Sequence, residues 1–240
     1  MERLVLVHGS VAGGHPTWKA QLPLEERFEL VILERPGFPP NPPVDRVDFE
    51  ADAELVSGLL EPGDHLVGHS YGGVISLLAA AVRPERVRSL TVIEPPATRV
   101  ALDDPHVTAF AAGGVELYAS GRTDEPEAFL RRFLEAVGST LDPPSPLPPA
   151  LEQGARALMV ERGPWEAEIP LDTLAAAPFP KLVMSGAHHP AFDAICDVLE
   201  RELHAERVVL EGYGHTVQRH PGFNAALADF VTRMNFRSSV

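Results

Sequence analysis

The amino-acid sequence predicts an α/β fold in which helices flank a mostly parallel sheet. Short apolar runs alternate with segments of helical spacing, and the runs are apolar at consecutive positions rather than at every second one. A glycine-rich turn at residues 68–73 links one apolar run to a helical segment. Strands buried on both faces have this continuous apolar character, and regular alternation of strands and helices is typical of parallel sheets.

Strand and helix patterns alternate up to about residue 95. The strand patterns lie at residues 4–7, 30–33, 66–67 and 87–93, and the helix patterns at 18–24, 49–60 and 74–82. The strand patterns are short and apolar, whereas the helix patterns follow helical spacing. The helix pattern at 74–82 ends just before Pro84, which is a helix-stop signal.

The alternation stops between about Pro95 and Pro178. This segment contains helical pieces at 126–137 and 151–161 and a proline-rich stretch at 142–149. We predict an inserted helical cap with a rigid connector, because irregular loops of this length are uncommon in compact domains. The alternation then resumes, with strand patterns at 181–184 and 208–210 and helix patterns at 191–203 and 223–234.

Composition limits the classes of function. The 240 residues are 45% hydrophobic, enough for one sizeable core with room for an inserted subdomain. The formal net charge of −14 argues against nonspecific binding to nucleic acid or anionic membranes, since both need basic patches. The sole cysteine, Cys196, excludes an intrachain disulfide and lies in an apolar helical stripe, which predicts a core residue.

The N-terminal residues predict no targeting segment. Met1-Glu2-Arg3 leads directly into a strand pattern, without the longer apolar region and cleavage site of a signal peptide. No apolar run approaches the length of about 20 residues that spans a bilayer. We therefore expect a cytoplasmic protein without membrane or nucleic-acid partners, and the sequence leaves its oligomeric state open.

A candidate nucleophile lies in Gly68-His69-Ser70-Tyr71-Gly72-Gly73. The motif follows a strand pattern and precedes a helix pattern, which is the context that a G-x-S-x-G turn requires. Small residues at Gly68 and Gly72 let strand and helix pass closely around a strained serine. The motif predicts that Ser70 is a catalytic serine; the alternative is a glycine-rich turn with an incidental serine.

A serine nucleophile needs a base within hydrogen-bond reach, and the base needs an orienting partner. Among ten histidines, His215 stands out because it closes a glycine-rich segment, 211–215, just after the last strand pattern. That turn is expected at the carboxyl edge of the sheet, where Ser70 emerges and where open α/β sheets place ligands. We predict that His215 is the base; the alternative is a histidine of a surface loop.

These features resemble the α/β-hydrolase-fold serine hydrolases, and the resemblance extends over nearly the whole chain. It is carried by Val7-His8-Gly9, the GHSYGG turn at 68–73, the segment inserted between Ile93 and Lys181, and Gly214-His215. The order of nucleophile, acid and histidine along the chain also agrees with this family.

The resemblance implies a core at residues 1–95 and 179–240 and a helical cap at residues 96–178. It also implies an oxyanion hole formed by the backbone N–H groups of Tyr71 and Ser10. Backbone donors suit this task because they are fixed in place before charge develops on the substrate oxygen.

The acid departs from the commonest pattern of the family. Most relatives carry an aspartate after the strand at 181–184, near the position where this chain has His189. Some relatives place the acid after the preceding core strand, where Glu94 stands. The resemblance therefore points to Glu94 as the carboxylate that holds His215. Asp193 is the second choice if the loop is rearranged, and a strand-end salt bridge is the alternative role for Glu94.

The resemblance implies a cofactor-independent serine hydrolase of small carboxylic esters or related acyl compounds. Carbon–carbon or amide cleavage, acyl transfer and haloperoxidase chemistry on the same triad are alternatives, as is a ligand-binding homologue without turnover. Dehalogenases and epoxide hydrolases of this fold are disfavoured, because they use an aspartate where Ser70 stands. His188 and His189 match no H-E-x-x-H helix or cysteine–histidine site, so no metal is expected.

Overall fold

The computed structural model of the protein describes residues 1–121 and 125–237. Residues 122–124 of the predicted cap and 238–240 of the predicted core lie outside the described residues. The strands are β1 (Glu2–Val7), β2 (Phe28–Ile32), β3 (Asp64–His69), β4 (Val87–Ile93), β5 (Lys181–Ser185) and β6 (Glu206–Val209). The α-helices are α1 (Gly14–Thr17), α2 (Phe49–Leu59), α3 (Tyr71–Val82), α4 (Pro105–Gly121), α5 (Pro126–Ala136), α6 (Pro149–Met159), α7 (Leu171–Ala176), α8 (Pro190–Leu203) and α9 (Phe223–Arg237).

The strands of the described chain form one parallel sheet with the order β2-β1-β3-β4-β5-β6. This confirms the predicted fold class, a parallel sheet flanked by helices. Because the chain first moves outward from β1 to β2 and then returns to β3, the direction of winding reverses between β1 and β3. The carboxyl ends of these two strands therefore border a crevice in which open α/β sheets bind ligands.

Two apolar clusters cover the two faces of the sheet. In β1, Val5 and Val7 belong to one cluster, which includes residues of α2, α3 and α8. Leu4 and Leu6 belong to the other cluster, which includes residues of α9. Successive side chains of a strand point to opposite faces. Burial of both faces therefore explains why the strand patterns are apolar at consecutive positions.

The segment between β4 and β5 is mainly helical in its described part and contains α4 to α7. A third apolar cluster joins α4, α5 and α6 and includes Val11 from the loop after β1. Helix α6 approaches that loop so closely that a Cβ at Gly154 would overlap the Val11 carbonyl oxygen. The division of the chain into a core and a cap stays a prediction. No helix in the described ranges has the length and apolarity needed to cross a membrane.

Candidate active site

Ser70 lies at the turn between β3 and α3. Its backbone angles, φ 54° and ψ −125°, fall in a region that few non-glycine residues adopt. The turn is tight enough that a Cβ at Gly68 would overlap the Gly72 carbonyl, and a Cβ at Gly72 would overlap the carbonyls of Val7 and His8. Both glycines are therefore required by close contact between backbones, as the sequence motif predicts.

Three side chains that are distant in sequence form a continuous hydrogen-bonded path. The Ser70 hydroxyl lies 2.8 Å from His215 Nε2, and His215 Nδ1 lies 2.8 Å from Glu94 Oε2. All three residues are buried. When Nδ1 donates to the carboxylate, Nε2 is left as an acceptor for the serine hydroxyl, which is the arrangement a general base needs. The structure thus brings the predicted residues together, while their catalytic roles stay predictions.

Glu94 follows β4 and is anchored through both carboxylate oxygens. Its Oε1 accepts hydrogen bonds from the Gly186 amide at 2.7 Å and from His188 Nδ1 at 3.1 Å, and its Oε2 accepts from His215. Burial alone would raise the pKa of Glu94, but the hydrogen bonds from His188 and His215 outweigh it and lower the pKa to about 2. Glu94 is therefore a carboxylate at neutral pH, although it is fully buried.

The alternative acid, Asp193, lies in the first turn of α8. Its Oδ1 is buried and has no hydrogen-bond partner among the described residues. Helix α8 instead presents Phe192 to the imidazole, and the rings of Phe192 and His215 stack with centroids 4.4 Å apart. The geometry therefore favours Glu94 over Asp193 as the residue that orients His215.

The two predicted oxyanion donors lie in the loop after β1 and at the start of α3. Tyr71 is the first residue of α3, so its N–H is one of the first-turn donors that a helix leaves without an intrahelical acceptor. Ser10 follows β1 and lines the same cavity as Ser70 and Tyr71. The loop turns tightly at Val11, where φ is 78° and the Ala12 amide donates to the Ser10 carbonyl at 3.0 Å. The role of these amides as an oxyanion hole stays a prediction.

A buried ionic network supports the Ser10 loop. Arg35 donates to the Gly9 carbonyl at 2.9 Å and to Asp52 at 2.8 Å, and it lies 3.4 Å from Glu161. The Ser10 hydroxyl donates to Glu161 Oε2 at 2.5 Å. Burial raises the pKa of Glu161 to about 7, although Arg35 and Ser10 act in the opposite direction. Because Glu161 follows α6, the network joins the Ser10 loop to the segment between β4 and β5.

Three residues of the site had no predicted role in its geometry: Glu161, His188 and His69. His188 Nδ1 faces Glu94 and its Nε2 lies 3.1 Å from the Val137 carbonyl. His69 Nε2 lies 2.8 Å from the His215 carbonyl, and burial lowers the pKa of His69 to about 3, so the neutral ring donates this bond. One signal was available for His188, since it lies in the loop after β5 that carries the acid in most relatives.

Two cavities meet at Ser70. The larger has a volume of about 450 Å³ and is lined mainly by apolar side chains. They include Phe110, Leu117, Phe133, Trp165 and Phe192. The smaller has a volume of about 60 Å³ and is lined in part by polar side chains, which include His69, His215, Thr216, Gln218 and Arg219. Ser10 and Ser70 line both cavities.

Comparison with known proteins assigns the chain to a family. The model of a family described as "Alpha/beta hydrolase family" matches residues 4–227. The chain belongs to the alpha/beta hydrolase family. Among its relatives, a pimeloyl-[acyl-carrier protein] methyl ester esterase from Aeromonas hydrophila subsp. hydrophila is 28% identical over 179 residues. That alignment covers 72% of this chain and 64% of the relative, so the chain spans less than two thirds of that protein.

Solved structures of other alpha/beta hydrolases have the same fold. A thermophilic esterase from Thermogutta terrifontis aligns with a TM-score of 0.73 and 20% identity, covering 98% of this chain and 90% of the esterase. A haloalkane dehalogenase from Bradyrhizobium elkanii aligns with a TM-score of 0.71 and 20% identity, covering 100% of this chain and 91% of the dehalogenase. At such identities the likeness shows the fold alone. The reaction must therefore be argued from the residues of the site.

Proposed function

We propose that this alpha/beta hydrolase is a serine hydrolase that cleaves small carboxylic esters or related acyl compounds. The observation that carries the proposal is the hydrogen-bonded path from Ser70 through His215 to Glu94, with 2.8 Å at each step. The Aeromonas relative is a methyl ester esterase, which supports the same reaction class. The two cavities at Ser70 supply space for the two halves of such a substrate.

In the first half-reaction, His215 Nε2 takes the proton of the Ser70 hydroxyl while Oγ attacks the carbonyl carbon. The amides of Tyr71 and Ser10 donate hydrogen bonds to the oxyanion that forms. Glu94 stays ionised and stabilises the imidazolium. His215 then transfers its proton to the leaving oxygen, the C–O bond breaks, and the acyl group remains on Ser70.

In the second half-reaction, a water molecule occupies the place of the departed alcohol. His215 takes a proton from this water, and the resulting hydroxide attacks the acyl carbon. The same amides stabilise the second oxyanion. When the intermediate collapses, Ser70 recovers its proton from His215 and the carboxylic acid leaves, so the enzyme returns to its starting state.

A fluorophosphonate probe tests the proposal, because it phosphonylates an activated serine. The wild-type protein should be labelled and should hydrolyse a small chromogenic ester, while Ser70→Ala should lose both properties. Ser120→Ala, a change of an exposed serine in α4, is the matched control and should keep both. A wild-type protein that neither reacts with the probe nor turns over the ester would point to a non-catalytic ligand-binding homologue.

Other chemistries use the same triad and are separated by the choice of substrate. Amide cleavage, carbon–carbon cleavage, acyl transfer and cofactor-free haloperoxidase activity would each leave probe labelling of Ser70 intact. A panel of esters, amides, β-diketones, acyl acceptors and a halide with hydrogen peroxide therefore distinguishes them once labelling is established. We expect the highest kcat/KM for the esters. If another substrate class exceeds the esters by a wide margin, the proposed reaction is wrong even though the nucleophile is correct.

A further inference from the structure

We propose that the site prefers esters that combine a bulky apolar acyl group with a small alcohol. The larger cavity holds the acyl chain and the smaller cavity holds the alcohol. This inference rests on the proposed function. It assigns the acyl half of the ester to one cavity and the alcohol half to the other. It follows from the position of His215, the volumes of the two cavities and the chemistry of their walls.

The position of His215 decides which cavity receives the alcohol. Its Nε2 lies 2.8 Å from Ser70 Oγ, and it must also come within hydrogen-bond reach of the leaving oxygen to protonate it. His215 lines the smaller cavity together with Ser70, whereas the described residues that line the larger cavity include Ser70 but not His215. The alcohol therefore departs toward the smaller cavity, and the acyl chain extends into the larger one.

The volumes set the size of each group. The smaller cavity, at about 60 Å³ against about 450 Å³ for the larger, suits the smaller of the two groups of an ester. The larger cavity, at about 450 Å³, lies within the range of ~300–1,000 Å³ that is usual for small-molecule sites. The volumes thus match a long or branched acyl chain in the larger cavity and a short alcohol in the smaller.

The wall of the larger cavity also fits an acyl chain. It is lined by the rings of Phe110, Phe133 and Trp165, which favour an apolar chain. The smaller cavity shares Phe133 with the larger one but also has polar side chains beside Ser70, which include His215 and Gln218. These polar side chains suit a short alcohol and an incoming water.

Two isomeric esters test this assignment. Methyl octanoate and heptyl acetate contain the same atoms and differ in the side of the ester that carries the long chain. We expect kcat/KM to be at least about tenfold higher for methyl octanoate, since each buried methylene contributes about fourfold. Equal values, or a preference for heptyl acetate, would overturn the assignment. Failure of the fluorophosphonate probe to label Ser70 would instead overturn the proposed function.

A change in α4 tests the larger cavity separately. Gly113 lines this cavity, and a Cβ at that position would meet no atom within 4 Å, so a longer side chain can enter the space. Gly113→Leu should lower the ratio of kcat/KM for methyl octanoate over methyl acetate about fivefold or more. Gly58→Leu is the matched control, because Gly58 is a helical glycine of α2 with equally open surroundings. An unchanged ratio in Gly113→Leu would contradict the acyl assignment.

A different observation concerns the second histidine on Glu94. We infer that His188 is a positively charged positioning residue. It binds Glu94 Oε1, whereas His215 binds Glu94 Oε2. Both ring nitrogens of His188 face acceptors, namely Glu94 Oε1 and the Val137 carbonyl, each at 3.1 Å. A neutral imidazole has one N–H and would satisfy one of them, whereas an imidazolium satisfies both.

The surroundings of His188 support the charged form. Four titratable groups act on His188: Glu94, His215, His189 and Asp193. The first two lie at the sheet edge, His189 lies on the same loop as His188, and Asp193 lies on α8. The segment between β4 and β5 contributes the Val137 carbonyl. Burial lowers the pKa of His188, but the hydrogen bond and charge of Glu94 outweigh it and raise the pKa above its usual value. His188 therefore keeps its proton to a higher pH than an unperturbed histidine does.

Hydrogen bonds also account for a grouping that resembles a metal site. Ligand atoms of Glu94, His188 and His215 lie within 4.8 Å of one another. However, each ring nitrogen of the two histidines and each oxygen of the carboxylate already has a hydrogen-bond partner. The partners include the Ser70 hydroxyl and the Val137 carbonyl. The contacts therefore favour a hydrogen-bond network at these three residues over a bound metal ion.

Nitrogen NMR of the histidine rings tests the charge of His188 directly. At pH 7 both ring nitrogens of His188 should carry a proton, and a ring with one N–H would overturn the inference. His188→Gln should lower kcat about tenfold with little change in KM, and the alkaline decline of kcat that accompanies loss of the His188 proton should disappear. His204→Asn, at an exposed position after α8, should keep the wild-type profile. A variant with an unaltered kcat and pH profile would contradict a positioning role.

Discussion

Four non-glycine residues with positive φ belong to the candidate triad or to loops near it: Val11, Ser70, Glu94 and Ala187, with φ of 78°, 54°, 45° and 49°. They lie in the connections that follow β1, β3, β4 and β5, where the chain leaves the carboxyl edge of the sheet and must turn at once. Each such conformation costs about 1–3 kcal/mol and persists because the surrounding contacts hold it. The strain therefore lies where the fold positions its reactive groups.

At the residue scale, Glu94→Gln tests the orienting acid. The amide removes the negative charge that stabilises the imidazolium and can donate to His215 Nδ1, which favours the wrong tautomer. We expect kcat to fall by about 10³–10⁴-fold with the fold retained, as measured by ester turnover and circular dichroism. Glu152→Gln, at a surface ion pair of α6, is the control. An active Glu94→Gln together with an inactive Asp193→Asn would show that the acid assignment is wrong.

At the element scale, the sequence patterns predicted the apolar parts of the strands. They missed polar strand residues that are buried because they form hydrogen bonds with other parts of the chain. Only residues 66–67 of β3 were predicted, because the strand begins at Asp64 and His65. Asp64 accepts from the Glu61 amide at 2.8 Å, and His65 Nδ1 lies 2.7 Å from Ser89 Oγ. Such partners come from other parts of the chain and are invisible in a local pattern.

The same limit applies to the helices and to the site. Helix α4 (Pro105–Gly121) was not predicted, because it lines a cavity and lacks a single continuous apolar face. Ser70 was predicted from the glycine-rich turn at 68–73, and His215 from the glycine-rich turn that it closes. Glu94 was predicted from the family resemblance, which places an acid after the strand pattern at 87–93. The contacts of Glu161 and His188 depend on loops that meet only in the folded chain.

The Ser70 turn predicts a contrast between two helical glycines. Gly72→Ala should lower the free energy of unfolding by about 1–3 kcal/mol or more, because the new Cβ overlaps the carbonyls of Val7 and His8. Gly58→Ala should instead raise it by up to about 1 kcal/mol, since Gly58 lies in α2 with nothing within 4 Å. Urea denaturation measures both. Similar stabilities for the two variants would show that the turn is not sterically restricted.

At the scale of the whole molecule, the buried Arg35 network connects parts of the chain that are far apart in sequence. Arg35 lies after β2, Asp52 in α2 and Glu161 after α6, and all three are buried. The guanidinium also packs over the rings of Phe38 and Tyr71, at 4.9 and 4.8 Å from their centroids. The network thus couples the loops around the nucleophile to the helical segment that covers the larger cavity.

This network predicts a pH dependence of stability. Burial raises the pKa of Glu161 from 4.5 to about 7, so the folded state binds a proton that the unfolded state has released. Its contribution to the free energy of unfolding is full below pH 4.5 and is lost as the pH rises through about 7. The stability of the wild type relative to Glu161→Gln should therefore fall between pH 5 and pH 8, as measured by urea denaturation. A difference that grows over this interval would show that Arg35 holds Glu161 ionised.

The junction of two cavities at Ser70 has a consequence for the order of events in turnover. Once the short alcohol has diffused out, its compartment beside His215 is empty while the acyl chain is still retained in the other. Any small hydroxyl compound can then enter and be activated in place of water. Added methanol should therefore compete with hydrolysis and regenerate methyl ester by transesterification, in proportion to its concentration, whereas a bulky alcohol such as octanol should not.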